Sequence, residues 1–226
     1  MQHSDGPAGG RPFVRPYRHP DFDGVRDVAF ATGFMGDPVA GQFADRDAFA
    51  HLFCTWYLLH RPDTCWVVDD GGGRVVGYLV GSPDGPGDQA AHEWEFATTH
   101  LLRRGIALRP GTARFIARAA VDLARDRRCL HPPVDPARFP AELHVNLLPE
   151  ARGRGLGGAL MRSWTDRLVG MGVPGVHLGT FGQNAGAIAF FTACGFEPVG
   201  AEVPNPGFRM LDGGRCTVRW FQRALP

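Results

Sequence analysis

The amino-acid sequence predicts an α/β (α+β) domain in which helices flank a central twisted sheet. Patterns typical of strands and helices alternate near both ends of the chain. Two β-rich runs surround an Asp-Asp-Gly-Gly-Gly turn within 64–81, which is the pattern of a β-hairpin. A strand at 141–148 leads through a glycine-rich turn into a helix. We expect residues 11–226 to form this single domain and residues 1–10, which are polar and glycine-rich, to be a disordered tail.

The first half of the chain has the predicted order strand, helix, helix, hairpin. A strand at 11–18 precedes a helix at 21–32, whose apolar positions share one face and whose first residue, Asp21, is a suitable N-cap. A second helix is predicted at 45–60 from its apolar stripe, and the hairpin at 64–81 follows it.

A stretch rich in proline and glycine at 82–140, with two helical patterns inside it, interrupts this alternation and is expected to be an insertion. The alternation then resumes. The elements predicted after the insertion are strand 141–148, helix 156–171, strand 175–181, helix 184–193, and strands 196–199 and 217–222. Four tryptophans (Trp56, Trp66, Trp94 and Trp164) are expected to pack in the core or between elements.

Composition narrows the function classes. The 24 basic residues are all arginine and nearly balance 23 acidic ones, so a net charge of +1 gives no sign of nucleic-acid binding. The absence of lysine removes a lysine base or Schiff base from the candidate chemistries. Together with 31 Gly and 19 Pro, it indicates a GC-rich bacterial genome.

Cysteine usage and hydropathy predict a cytoplasmic protein. The five cysteines lack the C-x-x-C spacing of metal or redox sites, and we expect them to be reduced and to bind no metal. They are Cys54, Cys65, Cys129, Cys194 and Cys216. The sequence contains neither the apolar run of a signal peptide nor a stretch long enough to span a membrane.

The turn at 152–158, with the sequence RGRGLGG, predicts an anion site. Glycine allows positive φ and lets the backbone approach a ligand closely. At the start of a helix the unpaired N–H groups and the helix dipole attract phosphate, and Arg152 and Arg154 add positive charge at the rim. The turn alone leaves a plain surface loop as the alternative.

Two other kinds of phosphate-binding motif are alternatives for this turn. Gly153, Gly155 and Gly158 spell the G-x-G-x-x-G of dinucleotide-binding folds, which expect an acidic residue about 20 positions later to hold the ribose. No Asp or Glu occurs between Asp166 and Glu197, so that reading lacks its second anchor. A Walker loop is excluded because its Gly-Lys-Ser/Thr ending is absent.

Two motifs in order give the chain a family resemblance. Arg152, Gly155 and Gly157 fit R/Q-x-x-G-x-G, and the segment 184–196 fits N-x-x-A-x-x-F-Y-x-x-x-G-F. In both respects the chain resembles the GNAT acetyltransferase superfamily. Its start, hairpin and insertion are also similar to one branch, the bacterial homologues of the acetyltransferase-like C-terminal domain of O-GlcNAcase.

The resemblance implies a GNAT fold, with a mixed, mostly antiparallel sheet of about seven strands in which strands 141–148 and 175–181 splay apart. It also implies acetyl-CoA as cosubstrate, with its pantetheine arm bonded between those strands to backbone groups of Leu147 and Leu148. An amine would attack the thioester directly. The cofactor-binding residues so implied are Leu147, Leu148, Arg152, Gly153, Arg154, Gly155, Leu156, Gly157, Gly158, Asn184 and Phe191.

Three residues are candidates for catalysis. Strand alternation places Glu142, His144 and Asn146 on one face. His144 has a suitable intrinsic pKa for a base, but only its spacing supports catalysis, and a histidine that merely lies on a solvated sheet face is the favoured interpretation. By resemblance, Asn146 faces the acyl group and Asn184 contacts the cofactor near the thioester; Asn184 is also a good helix N-cap.

Phe191 stands where the superfamily often has a tyrosine acid, and it cannot donate a proton. Two functions therefore remain open. The favoured one is an N-acetyltransferase for a small-molecule or protein amine, with neither nucleic acid nor membrane as partner. The alternative is an acetyl-CoA-binding module with weak or absent activity, which the lack of an obvious carboxylate base also favours. The oligomeric state is left open, with a dimer as one option.

Overall fold

A computed structural model describes residues 10–127 and 132–226. Nearly all of the expected tail, and Cys129, lie outside these residues. The strands are β1 (Phe13–Pro16), β2 (Trp66–Asp69), β3 (Val75–Ser82), β4 (Ala141–Leu147), β5 (Gly175–Phe181), β6 (Glu197–Arg209) and β7 (Arg215–Ala224). The α-helices are α1 (Phe22–Thr32), α2 (Arg46–Ala50), α3 (Trp56–His60), α4 (Gly85–Phe96), α5 (Pro110–Arg125), α6 (Leu156–Gly170) and α7 (Ala185–Ala193).

The strands form one sheet in the order β1-β2-β3-β4-β5-β7-β6, in which only the β4–β5 pair is parallel among the described strands. The mixed sheet expected from the sequence is thereby confirmed. β4 and β5 pair only at Ala141↔Val176 and Glu142↔His177. Beyond that point β4 stays bonded to β3 and β5 stays bonded to β7, so a gap opens between the two strands.

Helices cover both faces of the sheet. On one face, α6 buries Leu160, Trp164 and Leu168, which recur every four residues and so form one stripe of the helix. On the other face lie α1 and the pair α2–α3, which are joined without a break by a π-helical turn at His51–Thr55. The β4–β5 gap is therefore lined from both sides by packed elements.

The stretch 82–140, expected from the sequence to be an insertion, contributes to both walls around this gap. A π-helical turn at Ala97–Arg103 extends α4, which packs against α2–α3, and the His92 Nε2–H donates to the carbonyl of His51 at 2.9 Å. Helix α5 lies against β6, where the fully buried Asp122 carboxylate accepts from Arg209 Nη1 at 2.7 Å and from the Gly207 N–H at 3.1 Å. None of the helices in the described part of the chain is long and apolar enough to cross a membrane.

Three expectations need correction. Asp21 occupies the N-cap position of α1, but its carboxylate accepts from the Arg15 guanidinium at 2.7 and 2.8 Å rather than capping the helix. Strand β6 is far longer than 196–199, because an edge strand tolerates prolines where it bulges. Trp94 is not in the core, since 73% of its surface is exposed.

Candidate active site

The glycine turn has the geometry of an open cradle. Gly153 and Gly155 have φ of 70° and 75°, and no heavy atom of the described residues lies within 4 Å of a Cβ placed on either. Gly155 is the N-cap of α6, whose first intrahelical bond runs from the Ala159 N–H to the Gly155 carbonyl. The N–H groups of residues 156–158 therefore precede the first intrahelical bond and are free to bind an anion.

A channel leads from this turn to the β4–β5 gap. Its lining defines what we call the turn cavity, with a volume of about 590 Å³, which runs from Gly153 to Asn146 and Phe191. Gly157 lies where α6, α7 and β4 meet, and a Cβ there would stand only 3.2 Å from the Phe190 ring. Close packing thus favours glycine at position 157, whereas Gly153 and Gly155 have open space around them.

The two arginines of the turn do different things. Arg152 Nε donates to the Leu147 carbonyl at 2.9 Å, and its Nη2 donates to the Gly36 carbonyl at 2.8 Å. This side chain lines the turn cavity while tying the loop after α1 to the end of β4. Arg154 lies beside Arg11, away from that channel. Arg152 and Arg154 were both expected to add positive charge at the rim of the anion site. The position of Arg152 fits this expectation better than that of Arg154.

The backbone of β4 presents alternate residues to the gap. The Leu148 N–H donates to the Val76 carbonyl at 2.9 Å, so this residue is directed towards β3. In an antiparallel pair the neighbouring residue is directed the other way. Leu147 therefore faces the gap, as its bond from Arg152 confirms, and so does Val145. The backbone of Leu147 is directed as the expected hydrogen bonds to a bound ligand require, whereas that of Leu148 is not. Val145, two residues before Leu147, is directed in the same way and was not among the residues expected from the sequence.

A second cavity, of about 340 Å³, continues from the far end of the turn cavity; we call it the aromatic cavity. Seven phenylalanine, tyrosine and tryptophan rings line it, and they are Phe49, Phe53, Tyr78, Phe181, Phe191, Phe208 and Trp220. Asn146, Asn184 and Phe191 line both cavities, so the two spaces meet at these residues. The cavity at the glycine turn and the aromatic cavity thus adjoin at these three residues.

Glu142 places a carboxylate in the aromatic cavity. Its Oε1 accepts a hydrogen bond of 2.8 Å from the Tyr57 hydroxyl. Burial raises the pKa of this carboxyl, the Tyr57 bond lowers it in part, and the charges of Asp88 and Glu93 raise it further. A carboxylate with a raised pKa is a better proton acceptor. The sequence analysis found no obvious carboxylate base, and Glu142 is a candidate that the strand alternation beside His144 could have identified.

His144 lies on the same face of β4 as Glu142, as alternation predicts. Its ring contacts those of Phe53 and Tyr57, with centroids 5.3 and 5.7 Å away. The reading of a solvated sheet face is wrong, because helices α2 and α3 and the turn between them cover it. Burial lowers the pKa of His144 to about 4, so the ring is neutral at pH 7 and a weak base.

The two asparagines flank the point where the cavities meet. Asn146 Nδ2 donates to the Tyr78 hydroxyl at 2.9 Å. Burial raises the pKa of Tyr78 well above its usual value, so its hydroxyl keeps a proton that it can donate. Asn184 Oδ1 accepts from the Ala187 N–H at 3.0 Å, which confirms the N-cap reading of Asn184. Tyr78 was not identified from the sequence.

Phe191 lies on the α7 side of the point where the two cavities meet, which we call the junction. Its side chain is 6% exposed, and its ring packs against those of Phe190, Phe196 and Phe221. Phe191 therefore forms part of the core as well as part of both cavities. Within the described residues, no group of three or more His, Cys, Asp or Glu side chains converges to hold a metal ion.

Comparison with known proteins agrees with this geometry. Residues 31–196 match the model of the acetyltransferase (GNAT) family. The crystal structure of SsHAT is 31% identical, with a TM-score of 0.74, 95% of this chain and 98% of that chain being covered. The polyamine N-acetyltransferase of Drosophila melanogaster, which forms N-acetylagmatine, is 20% identical, with a TM-score of 0.57 and coverage of 95% and 100%.

A third structure shares the fold and holds the cofactor. YncA from Salmonella typhimurium, solved with acetyl-CoA, is 18% identical, with a TM-score of 0.56 and coverage of 96% of this chain and 95% of that one. The family model covers most of the chain, and the SsHAT similarity extends over nearly all of it. The chain therefore belongs to the GNAT acetyltransferase family and is an acyltransferase.

Proposed function

We propose that this protein transfers the acetyl group of acetyl-CoA to an amine by direct attack on the thioester. The observation that carries the proposal is that the cavity at the glycine turn adjoins a cavity that contains a carboxylate. Adjoining cavities let a phosphate-bearing cosubstrate and an amine approach one another from opposite ends. Asn146, Asn184 and Phe191 surround their meeting point.

Acetyl-CoA supplies an acyl group activated as a thioester, and the residues of the turn cavity fit its shape and charge. The open space above Gly153 and Gly155 would be filled by any side chain at those positions, which suits a cradle for pyrophosphate. The gap-facing backbone groups of Val145 and Leu147 are placed to bond the amides of the pantetheine arm. We assign the cofactor contacts of β4 to this pair rather than to Leu147 and Leu148.

Glu142 is the base in this proposal. An amine arrives as ammonium and must lose a proton before it can attack, and Glu142 accepts that proton directly or through water. The Tyr57 hydroxyl fixes the orientation of the carboxylate. His144 stays neutral and packs beside it. The Asn146 amide and the β4 N–H groups that face the gap stabilise charge that develops on the acyl oxygen.

Departure of the thiolate needs no acid from the protein. An ordinary thiol has a pKa of about 8.5, so thiolate is an acceptable leaving group near neutral pH. This is consistent with phenylalanine at position 191, the departure from the family tyrosine.

Two finer assignments also belong to this proposal. We place the chain in the branch of bacterial O-GlcNAcase-associated homologues on the resemblance of its start, hairpin and insertion. We place the protein in the cytoplasm because the described cysteines are free thiols, and three of them (Cys54, Cys65 and Cys216) are buried, with their pKa raised by burial. Growth of the source cells followed by fractionation tests the second assignment.

Calorimetric titration of acetyl-CoA into Gly155→Val tests the cofactor half. Gly172→Val is a matched control, because Gly172 has φ 73° and equally open surroundings but lies at the end of α6, outside both cavities. Both variants carry a backbone strain of about 1–2 kcal/mol. We expect the wild-type protein and Gly172→Val to bind and Gly155→Val to lose binding.

Release of free CoA that depends on an added amine tests the transfer itself. Equal binding by the two valine variants would contradict the pyrophosphate cradle. Binding without amine-dependent release, across primary amines of different size and charge, would contradict the transfer.

A further inference from the structure

Aromatic rings from several elements form much of the wall of the aromatic cavity. Phe181 at the end of β5 and Phe208 of β6 meet edge to face, with centroids 5.1 Å apart at 90°. Phe34, from the loop after α1, contacts the Phe181 ring at 5.5 Å. On the opposite wall, Phe49 and Phe53 lie 4.5 Å apart. Rings in such edge and offset arrangements form flat apolar surfaces, and these surfaces favour another flat ring.

Charge in this cavity is confined to one side. Among the described residues that line it, Glu142 is the only carboxylate, and none is an arginine. Its two histidines, His144 and His177, both have their pKa lowered by burial and are neutral near pH 7. One carboxylate can pair with one ammonium. A second cation on the same molecule would be desolvated against the aromatic walls without a counter-charge.

The insertion fixes the size of the cavity. Phe115 of α5 packs behind Phe208 with ring centroids 5.1 Å apart, and Asp122 anchors the same helix to Arg209. The aromatic wall on β6 is therefore backed by a packed helix. The volume of about 340 Å³ lies at the lower end of the range for small-molecule sites.

From these three observations we infer that the acceptor is a small primary amine with one aromatic ring and no second charge. The inference rests on the proposed function, since it names the acceptor class for the same site. Its ammonium lies at Glu142, its ring lies between the phenylalanines, and its short linker spans the distance between them. The Glu142 carboxylate takes one proton from the ammonium, and the nitrogen lone pair forms the new C–N bond. CoA thiolate leaves with the electrons of the C–S bond, and the second proton lost from the nitrogen passes to solvent.

An amine panel tests this class directly. Initial rates of CoA release are measured with acetyl-CoA at saturation and one of five acceptors: phenethylamine, tryptamine, agmatine, spermidine or a short peptide with a single lysine. We expect kcat/KM to be at least roughly tenfold higher for the two aromatic monoamines, the factor that one aromatic contact provides. Aromatic faces also attract cations, so agmatine and spermidine are the strictest competitors.

A pair of variants ties the preference to the cavity. Phe181→Leu removes a ring from the lining and should raise KM for phenethylamine roughly tenfold without changing acetyl-CoA binding. Phe30→Leu is the matched control. Phe30 is partly buried and packs on the same aromatic cluster, 6.1 Å from Phe49, but does not line the cavity. We expect Phe30→Leu to keep the wild-type KM for phenethylamine and the wild-type affinity for acetyl-CoA.

The outcomes separate the inference from the function beneath it. Acetylation of spermidine, agmatine or the peptide at equal or higher kcat/KM would overturn the aromatic class and leave the transferase intact. Equal effects of Phe181→Leu and Phe30→Leu would also overturn it. Acetyl-CoA binding without transfer to any of the five amines would overturn both, whereas loss of binding itself would point to the cofactor half.

Discussion

The two halves of the cleft are built by different means. The turn cavity is lined by six glycines, four of them in the turn 152–158, and by residues at the edge of β4. The aromatic cavity is formed by side chains that come from α2, β4, β5, β6 and β7. Backbone recognition needs a short contiguous motif, whereas side-chain recognition can be assembled from positions far apart in the chain. The first half therefore suits a constant cosubstrate and the second a variable acceptor.

This difference predicts how each half fails. Changes of side chain in the aromatic cavity should alter rate and acceptor choice while acetyl-CoA still binds. Changes at the positive-φ glycines should abolish binding before chemistry is reached. The predictions below test this contrast from the acceptor side.

Glu142→Gln should have the largest effect. The amide keeps an acceptor for the Tyr57 hydroxyl but cannot take a proton, so kcat should fall by about 10²–10⁴-fold, the range of general-base catalysis. Acetyl-CoA affinity should not change. Steady-state kinetics and calorimetry measure the two quantities, with Glu202→Gln, a surface carboxylate bonded to Thr217, as control.

The pH profile of the same enzyme separates Glu142 from His144. Because burial raises the pKa of the Glu142 carboxyl, the rate should fall on acidification at a pH above the ordinary glutamate range. In Glu142→Gln that acidic limb should disappear. A mild loss in Glu142→Gln together with inactivity of His144→Asn would instead make His144 the base.

Asp122→Ala should have the next largest effect, on the scaffold of the aromatic cavity. It removes the carboxylate that binds Arg209 and the Gly207 N–H, and it leaves a largely buried guanidinium without this partner. Losing one member of a buried ion pair costs about 3 kcal/mol. Urea unfolding should show this loss, which the exposed Asp166→Ala should not.

Kinetics of Asp122→Ala add a test of the two-half description. At a temperature where the variant is folded, KM for the amine should rise while acetyl-CoA binding stays constant. A parallel loss of acetyl-CoA affinity would show that the halves are coupled through the sheet.

The contact between the insertion and α2–α3 should weaken in acid. Burial is the main cause that lowers the pKa of His51, to about 3, and also the pKa of His92 and His100. In the unfolded chain a histidine has a pKa of about 6.5. A histidine whose pKa is lower in the folded state favours folding above that pH, and this contribution to stability is lost as the pH falls below it. For His51 alone the loss by pH 5 is about 2 kcal/mol.

Urea unfolding at a series of pH values measures this slope. The groups around His51 are His60, His92, His100, Arg26 and Glu95, and Glu95 lies 3.9 Å from its Nε2. His51→Gln should flatten the slope, and the exposed His19→Gln should not. An unchanged slope in His51→Gln would show that acid acts elsewhere.

The same division explains what the sequence could reveal. The turn, its helix and the segment after Asn184 were identified because each is a local pattern that backbone geometry dictates. Glu142 and Tyr57, 85 positions apart, form a pair only after the sheet brings β4 beneath α3. Phe208 escaped notice because it lies in a segment whose prolines and glycines conceal a long edge strand. Tertiary contacts of this kind leave no periodic trace in one sequence.

Phe191→Tyr should have the smallest effect, because it changes the junction rather than either half. The new hydroxyl would enter a site that is 6% exposed and packed against Phe196 and Phe221. Since CoA leaves as thiolate with a pKa of about 8.5, we expect kcat to rise by less than about tenfold. Phe191→Leu controls for altered packing and should lower stability without a gain in rate. A rise of more than a hundredfold would instead mean that protonation of the departing thiolate limits the wild-type enzyme, and that its phenylalanine is the reason.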